Sequence, residues 1–289
     1  MNNREILVTY KNQEMKVYLH QDKLNLTEVR FKLVFPYIKQ ALSELNIDVE
    51  FIINVCDLCD SIEPGIKIIC FSKTKKLDHI LIPNIDFFSG LIFRVIQQSS
   101  NDISYSDKLN SSVFAGANTG GFNRIEYCNK IFSHENNIGV IRHVENTIDN
   151  IKKIYPDYEK LFGSLSIPDQ LKHKIVVNID GHSLCWSRLY WQMNSNSIPV
   201  YINQRTDHEQ YFDKFDDTDC YLSATMDNFE EVYDYILDPK NIDHVNQVNE
   251  NGKRFIRTHF AEYMKNPQLF LLNSIKDAIR KVNEKYHKL

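Results

Sequence analysis

The sequence predicts an α/β protein. Short apolar runs rich in β-branched residues recur along the chain, and segments with apolar residues at helical spacing lie between them. The stretch Lys174–Val200 adds a third observation: it holds strand, glycine turn, helix and strand within ~30 residues, the length of one βαβ unit.

In chain order, Ile6–Tyr10 and Met15–His20 read as strands joined by the polar turn Lys11–Glu14. From Thr27 to Leu45 the residues Val29, Leu33, Ile38, Leu42 and Leu45 recur at helical spacing, with Pro36 marking a kink or a late start. Val49–Val55 is mostly apolar and reads as a buried parallel strand, and Ile66–Phe71 and His79–Ile82 as two more strands. The polar stretch Gln97–Ser112 has no apolar period and reads as a linker or flexible loop. An apolar start at Val113 then gives way to small residues, adjacent glycines and Arg124, so a backbone can approach a ligand there, although a plain glycine-rich turn has the same composition. Ile138–Val144 reads as a strand, residues 146–172 as helix with loops, and Asn228–Leu237 as a helix. Two closing helices follow Asn249, the last with a stripe of Leu269, Leu272, Ile275, Ile279 and Val282.

In Lys174–Val200, the run Ile175–Val177 meets Asn178-Ile179-Asp180-Gly181, and a ligand of such a unit sits beyond the first strand's carboxyl end. Gly181 permits a tight turn, Ser183 can cap the helix, and a helix start suits a phosphate. Arg188, about a turn further in, can clamp phosphate oxygens with two parallel hydrogen bonds. A solvated arginine after an ordinary α/β turn fits the same spacing. Neither GxGxxG nor GxxxxGK[ST] occurs.

At 289 residues the length favours two domains, and 25% charged with 43% hydrophobic residues is ordinary for a globular protein. A net charge of -4 argues against a nucleic-acid partner. The apolar runs are too short for a transmembrane segment, and the polar start of the chain lacks a secretory signal, which predicts a cytoplasmic protein. The six cysteines read as reduced, mainly buried side chains, and Cys56-Asp57-Leu58-Cys59 is a lone CxxC without a second pair at metal-ligand spacing.

Three segments taken together resemble glycosyltransferase family 90, which includes protein O-glucosyltransferases and capsule- or lipopolysaccharide-modifying enzymes. The first is Phe114-Ala115-Gly116-Ala117-Asn118-Thr119-Gly120 with Arg124, like the family's F-x-G-x-x-T block; the second is Asn178-Ile179-Asp180-Gly181 with Ser183, Trp186, Ser187 and Arg188; the third is Gly252–His259 with Phe255. Ile53–Asp57 and Phe71–Thr74 also look similar.

The resemblance implies a GT-B-like fold of two Rossmann-like domains facing a cleft. Residues 1–110, with the C-terminal helix of about 266–289 crossing back, form the acceptor side, and 111–265 bind the UDP-sugar. It implies an inverting glycosyltransferase, with no metal and no cofactor, that moves a sugar from a UDP-sugar to a hydroxyl of a glycan, lipid-linked glycan or protein. The alternative is a non-catalytic nucleotide- or glycan-binding member. Implied donor contacts are Gly116, Ala117, Asn118, Thr119, Arg124, Asp180, Gly181, Ser183, Ser187, Arg188 and Glu209, the last as a carboxylate for ribose hydroxyls or as an exposed loop residue. The family's tryptophan-containing loop with its aspartate base is absent, leaving Asp86 first, Asp102 second and Asp57 third as base. Ala115 stands where many members have arginine. Asp217-Thr218-Asp219 has the D-x-D form of a metal motif but reads as a solvated acidic loop.

Overall fold

The computed structural model describes residues 5–19, 25–60, 66–117, 123–131, 137–142, 163–181, 184, 187–202, 207–212 and 219–286. Asn118, Thr119, Ser183, Cys185, Trp186 and most of the expected helical region 146–172 lie outside them.

The chain opens with β1 (Glu5–Lys11), β2 (Glu14–Leu19), α1 (Asn25–Leu45), β3 (Val49–Asn54), β4 (Ile68–Cys70), β5 (Ser72–Thr74) and β6 (Ile80–Leu81). It continues through α2 (Ile85–Phe88), α3 (Leu91–Ser99), β7 (Leu109–Ala117), α4 (Asn123–Ile131), β8 (Ile138–Arg142), α5 (Ile167–Gln170), β9 (His173–Ile179), α6 (Ser187–Met193) and β10 (Ile198–Ile202). The last elements are β11 (His208–Gln210), β12 (Leu222–Ser223), α7 (Phe229–Leu237), α8 (Ile242–His259), α9 (Ala261–Lys265) and α10 (Pro267–Tyr286). The protein is thus α/β. No helix among the described residues is long and apolar enough to cross a membrane.

Two compact units emerge. The first comprises Met1–Phe93, Asp207–Asp213 and Ala261–Leu289, the second Arg94–Thr206 and Lys214–Phe260. The division therefore falls at Phe93, not near 110, and residues 207–213 belong to the first unit because β11 pairs with β5.

The first unit holds a five-stranded sheet in the order β2-β1-β3-β4-β6. Asn12 and Gln13 both adopt positive φ, 51 and 65, as a two-residue hairpin turn between β1 and β2 requires. The apolar run at β3 is buried as expected, but it lies antiparallel to β1 and parallel to β4, so the sheet is mixed. Pro36 lies within α1, and the buried Val34, Ile38 and Leu42 of that helix share the core with Ile275, Ile279 and Val282 of α10. Around α2, Phe87 packs edge-on against Tyr263 at 5.0 Å and at 5.5 Å from Phe212, which anchors the turn that carries Asp86.

The second unit is built on an all-parallel sheet, β12-β10-β9-β7-β8. Numbered by their appearance in this unit, the strands run 2-1-3-4-5, a doubly wound order that reverses direction between the first and third. That reversal falls between β7 and β9. β7 pairs with β8 as far as Ala117↔Arg142, and β9 with β10 as far as Ile179↔Ile202, whereas the β7–β9 pairing ends at Val113↔Val176. The sheet splays at its carboxyl edge there. Glycines let the flanking layers approach: a Cβ on Gly252 of α8 would stand 2.9 Å from the Met193 carbonyl, and one on Gly139 3.0 Å from Cys128.

The Gln97–Ser112 segment is a correction. It is not a flexible loop but the end of α3, a 3-10 turn at Tyr105–Asp107 and the start of β7. Its polar side chains are spent internally. Lys108 donates to both Asp102 oxygens at 2.7 Å and to the Leu171 carbonyl, and Asp102 Oδ2 accepts the Asn196 amide at 2.7 Å. Both charges are buried, with side chains 0% and 3% exposed. Burial holds the Lys108 pKa below its ordinary value, and Asp102 opposes that shift. Nearby, Ser111 Oγ lies 2.6 Å from Nδ1 of buried His173, at the opposite end of the strands from the splay.

Replacing Asp102 with Ala strands a buried ammonium, and the loss of stability is expected to be about 3–5 kcal/mol. A urea midpoint unchanged in Asp102→Ala would contradict this. His173 titrates below its ordinary 6.5 because burial and then Lys108 and Lys172 disfavour its charged form. The unfolded chain therefore takes up this proton first, so stability falls on acidification below 6.5 and levels off below the folded pKa. Melting curves of His173→Gln should show a shallower decline in that window; an identical slope in both proteins refutes the assignment.

Candidate functional site

A doubly wound sheet binds ligands beyond the carboxyl ends of its strands, where their order reverses. In the second unit that place carries a cavity of about 240 Å³ lined by Ala115, Gly116 and Ala117 at the end of β7, Arg142 at the end of β8, Gly163–Leu165 and Arg188. Its volume is just under the roughly 300–1,000 Å³ of pockets that enclose a drug-sized ligand, so it suits one charged group of a larger molecule.

Arg188 lies in the first turn of α6, which starts at Ser187, four residues later than Ser183. Its guanidinium stands over the Phe114 ring, 4.9 Å from the centroid. Nη1 is buried and has no hydrogen-bond partner. Gly116 is what lets the guanidinium lie against β7, since a Cβ there would stand 2.7 Å from Nη2 and 2.8 Å from the tip of Phe114. A cation with an unsatisfied N–H, aimed along a wall of small residues, is an anion-binding feature.

Arg124 has a different job from the anion contact expected of it. It is 6% exposed, and Nη1 donates to the Ala117 carbonyl at 2.8 Å while Nη2 and Nε donate to the Ile179 carbonyl at 2.7 and 3.2 Å. Past Val113 and Val176 the strand ends no longer pair, and this side chain bridges them. Arg124 is a structural strap.

Asp180 is buried and its Oδ1 accepts the Tyr201 hydroxyl at 2.7 Å, so it is tied to β10 and is not on the cavity wall. Gly181 is buried behind it and Ser187 half-buried at the helix start. Asn178, two residues before Asp180 on β9, has both side-chain amide atoms buried without a hydrogen-bond partner. Ala115 brings no charge to the wall. Arg142 has no distinguishing signal in the sequence, where it falls inside the run Ile138–Val144 that reads as a strand; the structure ends that strand at Arg142.

Glu209 belongs to the first unit, not to the donor-side region expected of it. It lies on β11 opposite Lys73 of β5, and Lys73 Nζ reaches its Oε2 at 2.9 Å. The base candidates also separate. Asp102 is neutralised by Lys108 and buried in the second unit. Asp57 pairs with Arg30 at 2.8 Å in the first unit. Asp86, also in the first unit, is half-exposed in the first turn of α2, whose cap Asn84 accepts its backbone N–H at 3.1 Å.

The cysteines are unbridged among the described residues, and Cys59, Cys70, Cys128 and Cys220 are buried. The Cys70 thiol is raised well above its ordinary value by its hydrogen bond with Cys59 and by burial, and burial pushes Cys128 up to about 12. Neither offers a thiolate. Among the described residues no group of three or more His, Cys, Asp or Glu side chains could hold a metal ion. Asp216–Thr218 of the acidic loop lie outside those residues.

What fold and site define is an α/β protein with an arginine-lined cavity at the switch point of a parallel sheet. No protein-family model matches the sequence, and no curated protein matches it.

Gly116→Ala forces the Arg188 guanidinium off β7 and should weaken binding of inorganic pyrophosphate roughly tenfold with the circular dichroism spectrum retained. Calorimetry giving the parent affinity would show that close approach at Gly116 is immaterial.

Proposed function

We propose that the protein is an inverting glycosyltransferase of GT-B type that takes its sugar from a UDP-sugar and binds the diphosphate through Arg188 without a metal. The observation that carries this reading is the buried, unpartnered Nη1 of Arg188 in a small-walled cavity at the sheet's switch point. The ordered motifs at Phe114–Gly120, Asn178–Arg188 and Gly252–His259 support it by their resemblance to family 90.

In the proposed reaction an acceptor hydroxyl of a glycan, lipid-linked glycan or protein attacks the anomeric carbon. A carboxylate takes the hydroxyl proton, the bond from that carbon to the diphosphate oxygen breaks, and UDP leaves with the electron pair. Arg188 meets the charge that grows on the leaving oxygens, and a preorganised cation of this kind lowers the barrier because it needs no reorientation. Asp86 is the proposed base, ahead of Asp102 and Asp57, because it follows a strand end. The missing tryptophan loop favours a second reading, a non-catalytic nucleotide- or glycan-binding protein that keeps the cradle without the base.

Arg188→Ala removes charge-assisted hydrogen bonds worth about 1.5–3 kcal/mol each, so UDP affinity measured with chelator present should fall ten- to a hundredfold. Parental UDP affinity in the folded variant would sink the assignment. Slow release of UDP from a UDP-sugar, abolished by Asp86→Asn, identifies an enzyme; tight binding with no turnover, even with acceptor extracts, identifies the binding protein.

A further inference from the structure

We propose that Arg142 is the second cation of the switch-point pocket, and that Arg142 and Arg188 together clamp a diphosphate rather than a single phosphate. The proposal rests on the reading of this cavity as an anion site. Arg142 closes β8 in register with Ala117 of β7, so the strand pairing fixes where its side chain starts. It is exposed and lines the same 240 Å³ cavity as Arg188. Among the described residues, the rest of the lining, Ala115, Gly116, Ala117, Gly163, Ser164 and Leu165, contains no carboxylate. Arg124, the other nearby arginine, donates from Nε, Nη1 and Nη2 to backbone carbonyls.

Like charges sharing a small cavity repel, and a ligand that carries a negative charge on each of two linked phosphoryl groups removes that repulsion. A monophosphate satisfies one guanidinium fork; a diphosphate can satisfy both. The small residues at the end of β7 and Gly163 let backbone come close to the anion without a side chain intervening, and Ser164 adds a hydroxyl. Arg142 and Arg188 come from different strand connections, so both are in place only when β7 has β8 on one side and β9 on the other.

The test is calorimetric titration with inorganic pyrophosphate, inorganic phosphate and UDP, in chelator, on the parent protein, Arg142→Ala, Arg142→Glu and Arg188→Ala. The parent is expected to prefer pyrophosphate to phosphate. Arg142→Ala should weaken pyrophosphate and UDP roughly tenfold with little effect on phosphate, and Arg142→Glu should abolish pyrophosphate binding. Arg142 is exposed, so melting curves should show both variants folded. Parental pyrophosphate affinity in Arg142→Ala overturns the clamp, and if Arg188→Ala still weakens UDP the functional reading survives without it. Pyrophosphate binding that needs both arginines, with no preference for UDP over pyrophosphate, upholds the clamp and removes the UDP-sugar reading. A parent protein that binds neither probe overturns both.

Discussion

The second unit depends on how β7 and β9 part company. Their ladder ends at Val113↔Val176, while β7 runs on with β8 and β9 with β10. Beyond that point β7 and β9 no longer pair with each other, and a buried carbonyl there needs a donor from elsewhere. Arg124 meets this need with three N–H groups. A guanidinium suits the position better than an ammonium because its planar fork addresses two separated acceptors at once. The strap holds the splay at a fixed width, and the cavity with Arg188 lies at the same edge.

The division of labour among the arginines follows from burial. Arg124 is almost fully enclosed, and Nε, Nη1 and Nη2 each donate to a backbone carbonyl. Arg188 is half-buried, supported by the Phe114 face, and keeps a donor unspent. Arg142 is exposed at the mouth. Among the described residues, the two cations that line the cavity have no carboxylate beside them on its wall. Elsewhere the opposite holds: Lys108, Arg30 and Lys73 each stand on a carboxylate, and those pairs serve the fold.

The first unit gathers its polar residues differently. Its main sheet is mixed, β5 and β11 form a separate two-stranded sheet, and an aromatic cluster around Phe87 fixes the turn that bears Asp86. Asp86 stays half-exposed there because Asn84, not Asp86, caps the helix. Glu209 lies across from Lys73, and the attraction between them ties a loop of the chain to this unit.

The sequence by itself determined the α/β class, the βαβ unit at Lys174–Val200, and most helices and strands, because periodicity reflects which face of an element is buried. It also singled out Gly116 and Arg188, through the strand-turn-helix pattern and the resemblance of their segments to family 90, although an ordinary turn and a solvated arginine share that spacing. Only the tertiary structure decided what each polar side chain does. Arg124 and Arg188 look alike in sequence, yet one meets backbone carbonyls and the other a cavity; Asp102 looked like a loop acid until Lys108 was found against it; Arg142 acquired its place from a partner strand with no local signature. The reason is physical: burial pattern is written along the chain, but a charged group's role depends on which opposite charges and unpaired backbone groups the fold brings within hydrogen-bond reach, and those come from distant segments.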